Sequence, residues 1–133
     1  MRKSIWIADD DPDDRMIIKE AFEENDYFET IDFFEDGEKV LTKINEVKNK
    51  NFLEYPALFI LDLNMPRVNG LELLTIIKKN VKTKDIPVII LTTSKSNQDR
   101  DKVMKLGATD FITKPFSFDL LCKITKGLIE KYG

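Results

Sequence analysis

The chain has 133 residues, 42% hydrophobic and 34% charged; that suits one globular domain of roughly 100–150 residues and leaves no room for a fused DNA-binding or kinase module. Its 21 Lys and Arg against 24 Asp and Glu give a formal net charge of −3 with no basic block, which argues against direct nucleic-acid binding. With no histidine and a single cysteine, histidine triads, histidine metal sites, an internal disulfide and cysteine zinc cages are excluded.

The first strand is predicted at residues 4–8 (SIWIA), running into Asp9-Asp10-Asp11. Pro12, with Asp13 and Asp14 in a first turn, opens a helix whose Ile17, Ile18, Ala21 and Phe22 share one face. A second strand at residues 30–34 (TIDFF) carries Asp32 inside it and is expected at a sheet edge. Gly37 then marks the start of a helix on Val40, Leu41, Ile44 and Val47. The connection 48–56 is long, and its Phe52 and Tyr55 are expected to pack back as a flap.

The third strand, residues 57–61 (ALFIL), contains the longest apolar run, five residues, far short of the ~20 a membrane-spanning helix requires. It ends in Asp62, and Asn69-Gly70 starts a helix on Leu71, Leu74 and Ile77. The fourth strand, 88–91 (VIIL), ends in Thr92-Thr93-Ser94; Ser96, with Asp99 three residues later, opens a helix over about 97–106 that stops at Gly107. The fifth, 111–113 (FIT), ends in Lys114-Pro115, and Ser117 opens a last helix to about residue 131. No linker or repeat divides the chain, so residues 1–133 are read as a single domain without an output domain. The lone Cys122 is read as a small helix-face hydrophobe in a reducing, cytoplasmic setting.

Strand and helix alternating five times imply a parallel α/β sheet, since parallel neighbours need crossover connections, and right-handed crossovers put helices on both faces. All carboxyl ends then lie on one edge, where ligands of open α/β sheets bind. Asp9, Asp10, Asp62, Thr92 and Lys114 converge there. Two carboxylates ~4 Å apart repel by about 4 kcal/mol at an effective dielectric of ~20, and a divalent cation removes the conflict. All-oxygen ligands suit Mg²⁺ or Mn²⁺ rather than zinc. Metal, lysine and hydroxyl around one carboxylate make a site for a phosphoryl group attached to it.

The motifs IADDDPDD, LDLNMP, LTTS and TKPF, in this order and spacing, resemble the CheY-like receiver domain of two-component response regulators across essentially the whole chain. The resemblance implies a doubly wound, flavodoxin-like (βα)5 fold with strand order 2-1-3-4-5. It implies Asp62 as phosphoacceptor and metal ligand, with Asp10 binding Mg²⁺ or Mn²⁺ directly, Asp9 holding a metal-bound water or sharing the ion, and the backbone carbonyl of Asn64 supplying another metal oxygen. Thr92 and Lys114 would bind phosphoryl oxygens. Phe111 would be the switch aromatic, without the hydroxyl of the more usual tyrosine, and Lys114–Pro115 a cis peptide. The side chains of Ser94 and Asn64 would border the entrance.

The implied partners are a histidine kinase or phosphotransfer protein upstream and an unknown protein target downstream, with no nucleic-acid contact and no membrane insertion. The chain would be a monomer or a phosphorylation-dependent dimer, signalling through the fourth helix, fifth strand and fifth helix. Taken alone, Asp13 and Asp14 are read as a solvated acidic helix cap. Two rivals remain. A phosphorylation-independent interaction module on the same fold is one. The other is an aspartate-nucleophile, Mg²⁺-dependent phosphohydrolase of the haloacid-dehalogenase type, disfavoured because Asn64 stands where a second acid is expected.

Overall fold

A computed structural model describes residues 4–47 and 54–132. Among these residues the order is β1 (Ile5–Ala8), α1 (Pro12–Glu24), β2 (Ile31–Phe34), α2 (Gly37–Val47), β3 (Leu58–Leu61), α3 (Gly70–Lys79), β4 (Val88–Thr92), α4 (Asn97–Lys105), β5 (Asp110–Thr113) and α5 (Phe118–Tyr132). The strands form one parallel sheet ordered β2-β1-β3-β4-β5, the flavodoxin-like arrangement.

Alternation along each strand sorts its side chains between two cores. Ile5, Ile7, Leu58, Ile60, Ile89 and Leu91 meet Ile18, Ala21 and Phe22 of α1 and Leu121 and Leu128 of α5. Trp6, Ala8, Phe59, Leu61, Val88 and Ile90 face the other way, onto Val40 and Ile44 of α2, Leu73, Leu74 and Ile77 of α3, and Val103 of α4. Strands covered on both faces should be apolar throughout, and β1, β3 and β4 are buried along their whole length. The polar β2 is an edge strand, half-buried throughout, as its Asp32 foretold.

The helix starts follow capping chemistry. Asn69 and Glu72 form a reciprocal capping box on α3, and the Ser96 hydroxyl accepts from the Asp99 N–H on α4. Asp11 caps α1 through the Asp13 N–H, with Pro12 in the first turn. Gly107, at φ +103°, follows α4, a backbone conformation glycine tolerates best. Of the proposed flap, Tyr55 is fully buried in the core beside α2 and α3, whereas Phe52 lies outside the described residues.

Candidate phosphoacceptor site

The carboxyl ends of β1, β3, β4 and β5 build the site. Asp9 continues the β1–β2 ladder, its N–H donating to the Phe34 carbonyl at 3.0 Å, and Asp62 likewise donates to the Ala8 carbonyl at 3.0 Å. Adjacent strands thus present the two carboxylates side by side. Both are buried, Asp9 at 2% exposure and Asp62 at 7%. Carboxylate oxygens of Asp9, Asp10 and Asp62 all lie within 4.8 Å of one another, with Asp10 open to solvent.

Two buried carboxylates need a counter-charge, and Lys114 provides one. Its N–H donates to the Thr92 carbonyl at 2.7 Å, extending β5 along β4. Its ammonium Nζ lies 2.7 Å from Asp9 Oδ2, 2.9 Å from Asp62 Oδ2 and 2.8 Å from Asp14 Oδ2. The remaining lone pairs are partly met by backbone: Asp9 Oδ1 accepts from the Asp11 N–H at 3.0 Å and Asp62 Oδ1 from the Asn64 N–H at 3.3 Å. Burial lifts the Asp9 carboxyl above its ordinary range, opposed but not overcome by the Lys114 ammonium and the Asp11 N–H. Burial pushes the Lys114 ammonium the other way from its carboxylates, which prevail and hold it protonated.

The donor set fits a hard divalent cation: it is all oxygen, doubly buried, open on the Asp10 side, and without the nitrogen or sulfur ligands zinc prefers. Such an ion and the Lys114 ammonium answer the same excess of negative charge.

The other expected residues fall around this centre. Thr92 closes β4 and is fully buried, its hydroxyl accepting from the Ser94 N–H at 3.4 Å, while Thr93 is exposed. The Ser94 hydroxyl donates to Asp99 Oδ2 at 2.7 Å, and its carbonyl accepts from Thr113 Oγ1 at 2.9 Å, tying the β4–α4 loop to α4 and β5. Asn64 is exposed. Phe111 is turned inward, 8% exposed, in the core that holds Val103 and Ala108, and its carbonyl accepts from Arg100 at 3.4 Å.

One expectation is corrected. Among the described residues no peptide bond is cis, so Lys114–Pro115 is trans, the form X–Pro bonds prefer by about 0.5–1 kcal/mol. With the bond trans, the Lys114 N–H pairs with β4 and the ammonium still reaches its three carboxylates. A second correction concerns Asp14. It is not merely part of a solvated cap: it is half-buried and bonded to Lys114, while Asp13 stays exposed. The signal was present in the sequence, since residues 14, 18 and 21 lie at helical spacing and Ile18 and Ala21 face the sheet. Also unforeseen are Arg15, whose guanidinium donates to the Asp9 carbonyl at 2.7 Å, and the ion pair between Asp36 and Arg67.

The family model of the response regulator receiver domain matches residues 5–126. The chain belongs to that family. This receiver domain superposes on the phosphorylated cyanobacterial phytochrome response regulator RcpA with a TM-score of 0.87, at 30% identity, covering 99% of this chain and 94% of that one. The Mn²⁺-bound response regulator Rcp1 gives a TM-score of 0.82 at 29% identity, covering 95% of this chain and 91% of the other. Response regulator RR06 of Streptococcus pneumoniae serotype 2 is 37% identical over 131 residues, 97% of this chain and 54% of that protein. The phosphate regulon regulator PhoB of Klebsiella pneumoniae is 32% identical over 117 residues, 88% of this chain and 47% of PhoB. The receiver domain thus spans about half the length of these two curated relatives. A receiver domain is typically a phosphoacceptor rather than a true enzyme. No helix among the described residues is long and apolar enough to cross a membrane.

Proposed function

We propose that the chain accepts a phosphoryl group on Asp62 from the phosphohistidine of a histidine kinase or phosphotransfer protein, and that the aspartyl phosphate alters its binding to a downstream protein. The observation that carries this reading is the Asp62 carboxylate itself: buried, beside Asp9 and Asp10, with the Lys114 ammonium 2.9 Å from one oxygen. A buried carboxyl group in that company is a nucleophile with a counter-charge already in place.

In this reading an Asp62 oxygen attacks phosphorus in line, the P–N bond breaks, and its electron pair leaves with the imidazole. Lys114 turns from the carboxylates toward a phosphoryl oxygen, and Thr92 donates its hydroxyl to another. These two groups hold charge that is spread over the transferring phosphoryl, the main task in such transfers. A Mg²⁺ or Mn²⁺ ion held by Asp9, Asp10, Asp62 and the Asn64 carbonyl would supply further positive charge to the phosphoryl oxygens, in keeping with the Mn²⁺-bound form of Rcp1. Drawing Thr92 toward the phosphoryl group disturbs the Ser94 N–H contact and the Ser94–Asp99 and Thr113–Ser94 bonds, and Phe111 then repacks. The surface made by α4, β5 and α5 is what a target would read. Phosphate shifts that equilibrium only by the difference in its interaction with the two states, typically about 1–3 kcal/mol.

The test is incubation with acetyl phosphate and Mg²⁺, followed by mass spectrometry of wild type and Asp62→Asn. A single labile phosphoryl adduct, lost in Asp62→Asn, supports the reading. Continuous turnover of external phosphoesters would instead indicate a phosphohydrolase, and no adduct at all an interaction module that works without phosphate.

A further inference from the structure

Arg67 stands in the β3–α3 loop at φ +66°, a backbone region that favours glycine and that bulky side chains rarely enter. Nothing local in its side chain favours that conformation; asparagine or aspartate could bond its own backbone there, and arginine cannot. What holds it is distant in sequence. The Arg67 guanidinium lies 2.6 Å from Asp36 Oδ2, and Asp36 is 1% exposed. The other Asp36 oxygen accepts from the Lys39 N–H at 2.9 Å, so Asp36 is also held at the N-terminus of α2 by a contact separate from Arg67.

The backbone agrees with the side chains. A Cβ added to Gly37 would meet the Val68 carbonyl oxygen at 2.1 Å, so the β2–α2 junction bears directly on the loop one residue beyond Arg67. A Cβ added to Gly70 would meet the Asp62 carbonyl oxygen at 2.2 Å, and the Gly70 N–H donates to the Leu63 carbonyl at 3.0 Å. Met65, between these anchors, is buried in the core. The loop is thus fastened at Met65, at residues 67–68 and at Gly70, and through the close approach of Gly70 to Asp62 and Leu63 it is closed back onto the segment that carries Asp62 and Asn64, whose N–H bonds Asp62 Oδ1.

We propose that the Asp36–Arg67 ion pair positions the phosphoacceptor loop: Arg67 is a positioning residue that, from the outer side of the loop, sets the Asn64 backbone and the Asp62 carboxylate for cation and phosphoryl binding. This rests on the reading of Asp62 given above. A group acting through a ligand's support changes metal affinity by about 10- to 100-fold when removed; acting one step further back, Arg67 belongs at the low end, about 10-fold.

The test compares wild type, Arg67→Ala, Arg67→Gly, Arg67→Lys and Asp36→Asn by calorimetric Mg²⁺ titration, by Asp62 labelling with acetyl phosphate at saturating Mg²⁺, and by urea unfolding. Arg67→Gly is the decisive variant, because it relieves the positive φ while removing the guanidinium; relief of the backbone and loss of the partner of buried Asp36 act in opposite directions on stability, and urea unfolding reads their balance separately from Mg²⁺ binding. The expected result is Mg²⁺ binding and labelling weakened about 10-fold in Arg67→Gly and Arg67→Ala, with most of the loss recovered in Arg67→Lys. Asp36→Asn combined with Arg67→Ala is expected to cost no more than the worse single variant. Wild-type Mg²⁺ affinity and labelling in Arg67→Gly would overturn the proposal, whatever its stability. Failure of wild type itself to label at Asp62 would overturn the phosphoacceptor reading instead.

Discussion

Replacing Lys114 by methionine removes the internal cation of the site while keeping most of the apolar stem. At 2.7–2.9 Å and an effective dielectric of ~20, each contact with Asp9 and Asp62 is worth about 6 kcal/mol before desolvation, and the acids, within 4.8 Å of one another, repel by at least about 3.5 kcal/mol per pair. Desolvation of the ammonium offsets much of that attraction in wild type, so the net loss is that of breaking a buried pair, about 3–5 kcal/mol. Urea unfolding in EDTA, followed through the single tryptophan, Trp6, which is 1% exposed, reads the loss directly. With a slope of about 1–3 kcal/mol per M, the midpoint falls by about 2 M. Mg²⁺ then narrows the gap, because the variant site carries one more uncompensated negative charge and binds the ion more tightly. An ion at 100 times its dissociation constant returns about 2.7 kcal/mol. Lowering pH narrows it too, since protonating Asp9, whose carboxyl burial already raises, relieves the same repulsion. A variant as stable as wild type in EDTA, or a deficit indifferent to Mg²⁺, would refute the account of Lys114 as the counter-charge.

Asp62→Asn is expected to keep the fold and match or exceed wild-type stability by up to about 1 kcal/mol, because Lys114 retains Asp9 and Asp14 while one crowded charge goes; urea midpoints in EDTA measure it. Asp14→Asn costs at most about 1 kcal/mol, its side chain being 34% exposed, and the loss shrinks in high salt, which thermal melts at two ionic strengths resolve. Asp36 titrates below its ordinary 3.8: its burial works against the charge, but the Lys39 N–H and Arg67 outweigh it. Its contribution is therefore complete above about pH 4 and lost as pH falls through the lowered value, so the stability gap between wild type and Asp36→Asn is flat from pH 7 to 5 and closes in acid. Leu74→Ala, at a fully buried position between α3 and the sheet, is expected to cost about 2–5 kcal/mol by chemical denaturation.

The architecture was legible because each element carries its own signal. The runs IWIA, LFIL and VIIL are too short for helices and too apolar for a half-exposed strand, and residues such as Ile18, Ala21 and Phe22 repeat at helical spacing. Predicted strand starts at residues 4, 30 and 57 precede the observed ones by one residue, a difference within the ambiguity of any strand end, since the Thr30 and Ser4 carbonyls already accept from the Ile5 and Ala57 N–H groups. Placement of Asp9, Asp62, Thr92 and Lys114 on a common edge followed from parallel topology alone: a residue just past a strand's last apolar position has nowhere else to be.

Legibility stopped at contacts that depend on where a flexible side chain ends. Lys114 was placed beside Asp9 and Asp62 by its position past β5, and helical spacing put Asp14 on the sheet-facing side of α1, yet whether one ammonium reaches all three carboxylates depends on side-chain reach that no pattern encodes. Asp36–Arg67 was invisible for a related reason: Asp36 reads locally as a helix cap and Arg67 as a loop cation, and only the closeness of Gly37 to Val68 brings them together. Both cases share one physical cause. The excess of negative charge at this sheet edge is evident from composition near the motifs, but its compensation is divided among long side chains whose reach exceeds the period of any secondary structure. What the sequence specifies there is a charge to be balanced, and the fold decides which cation balances it.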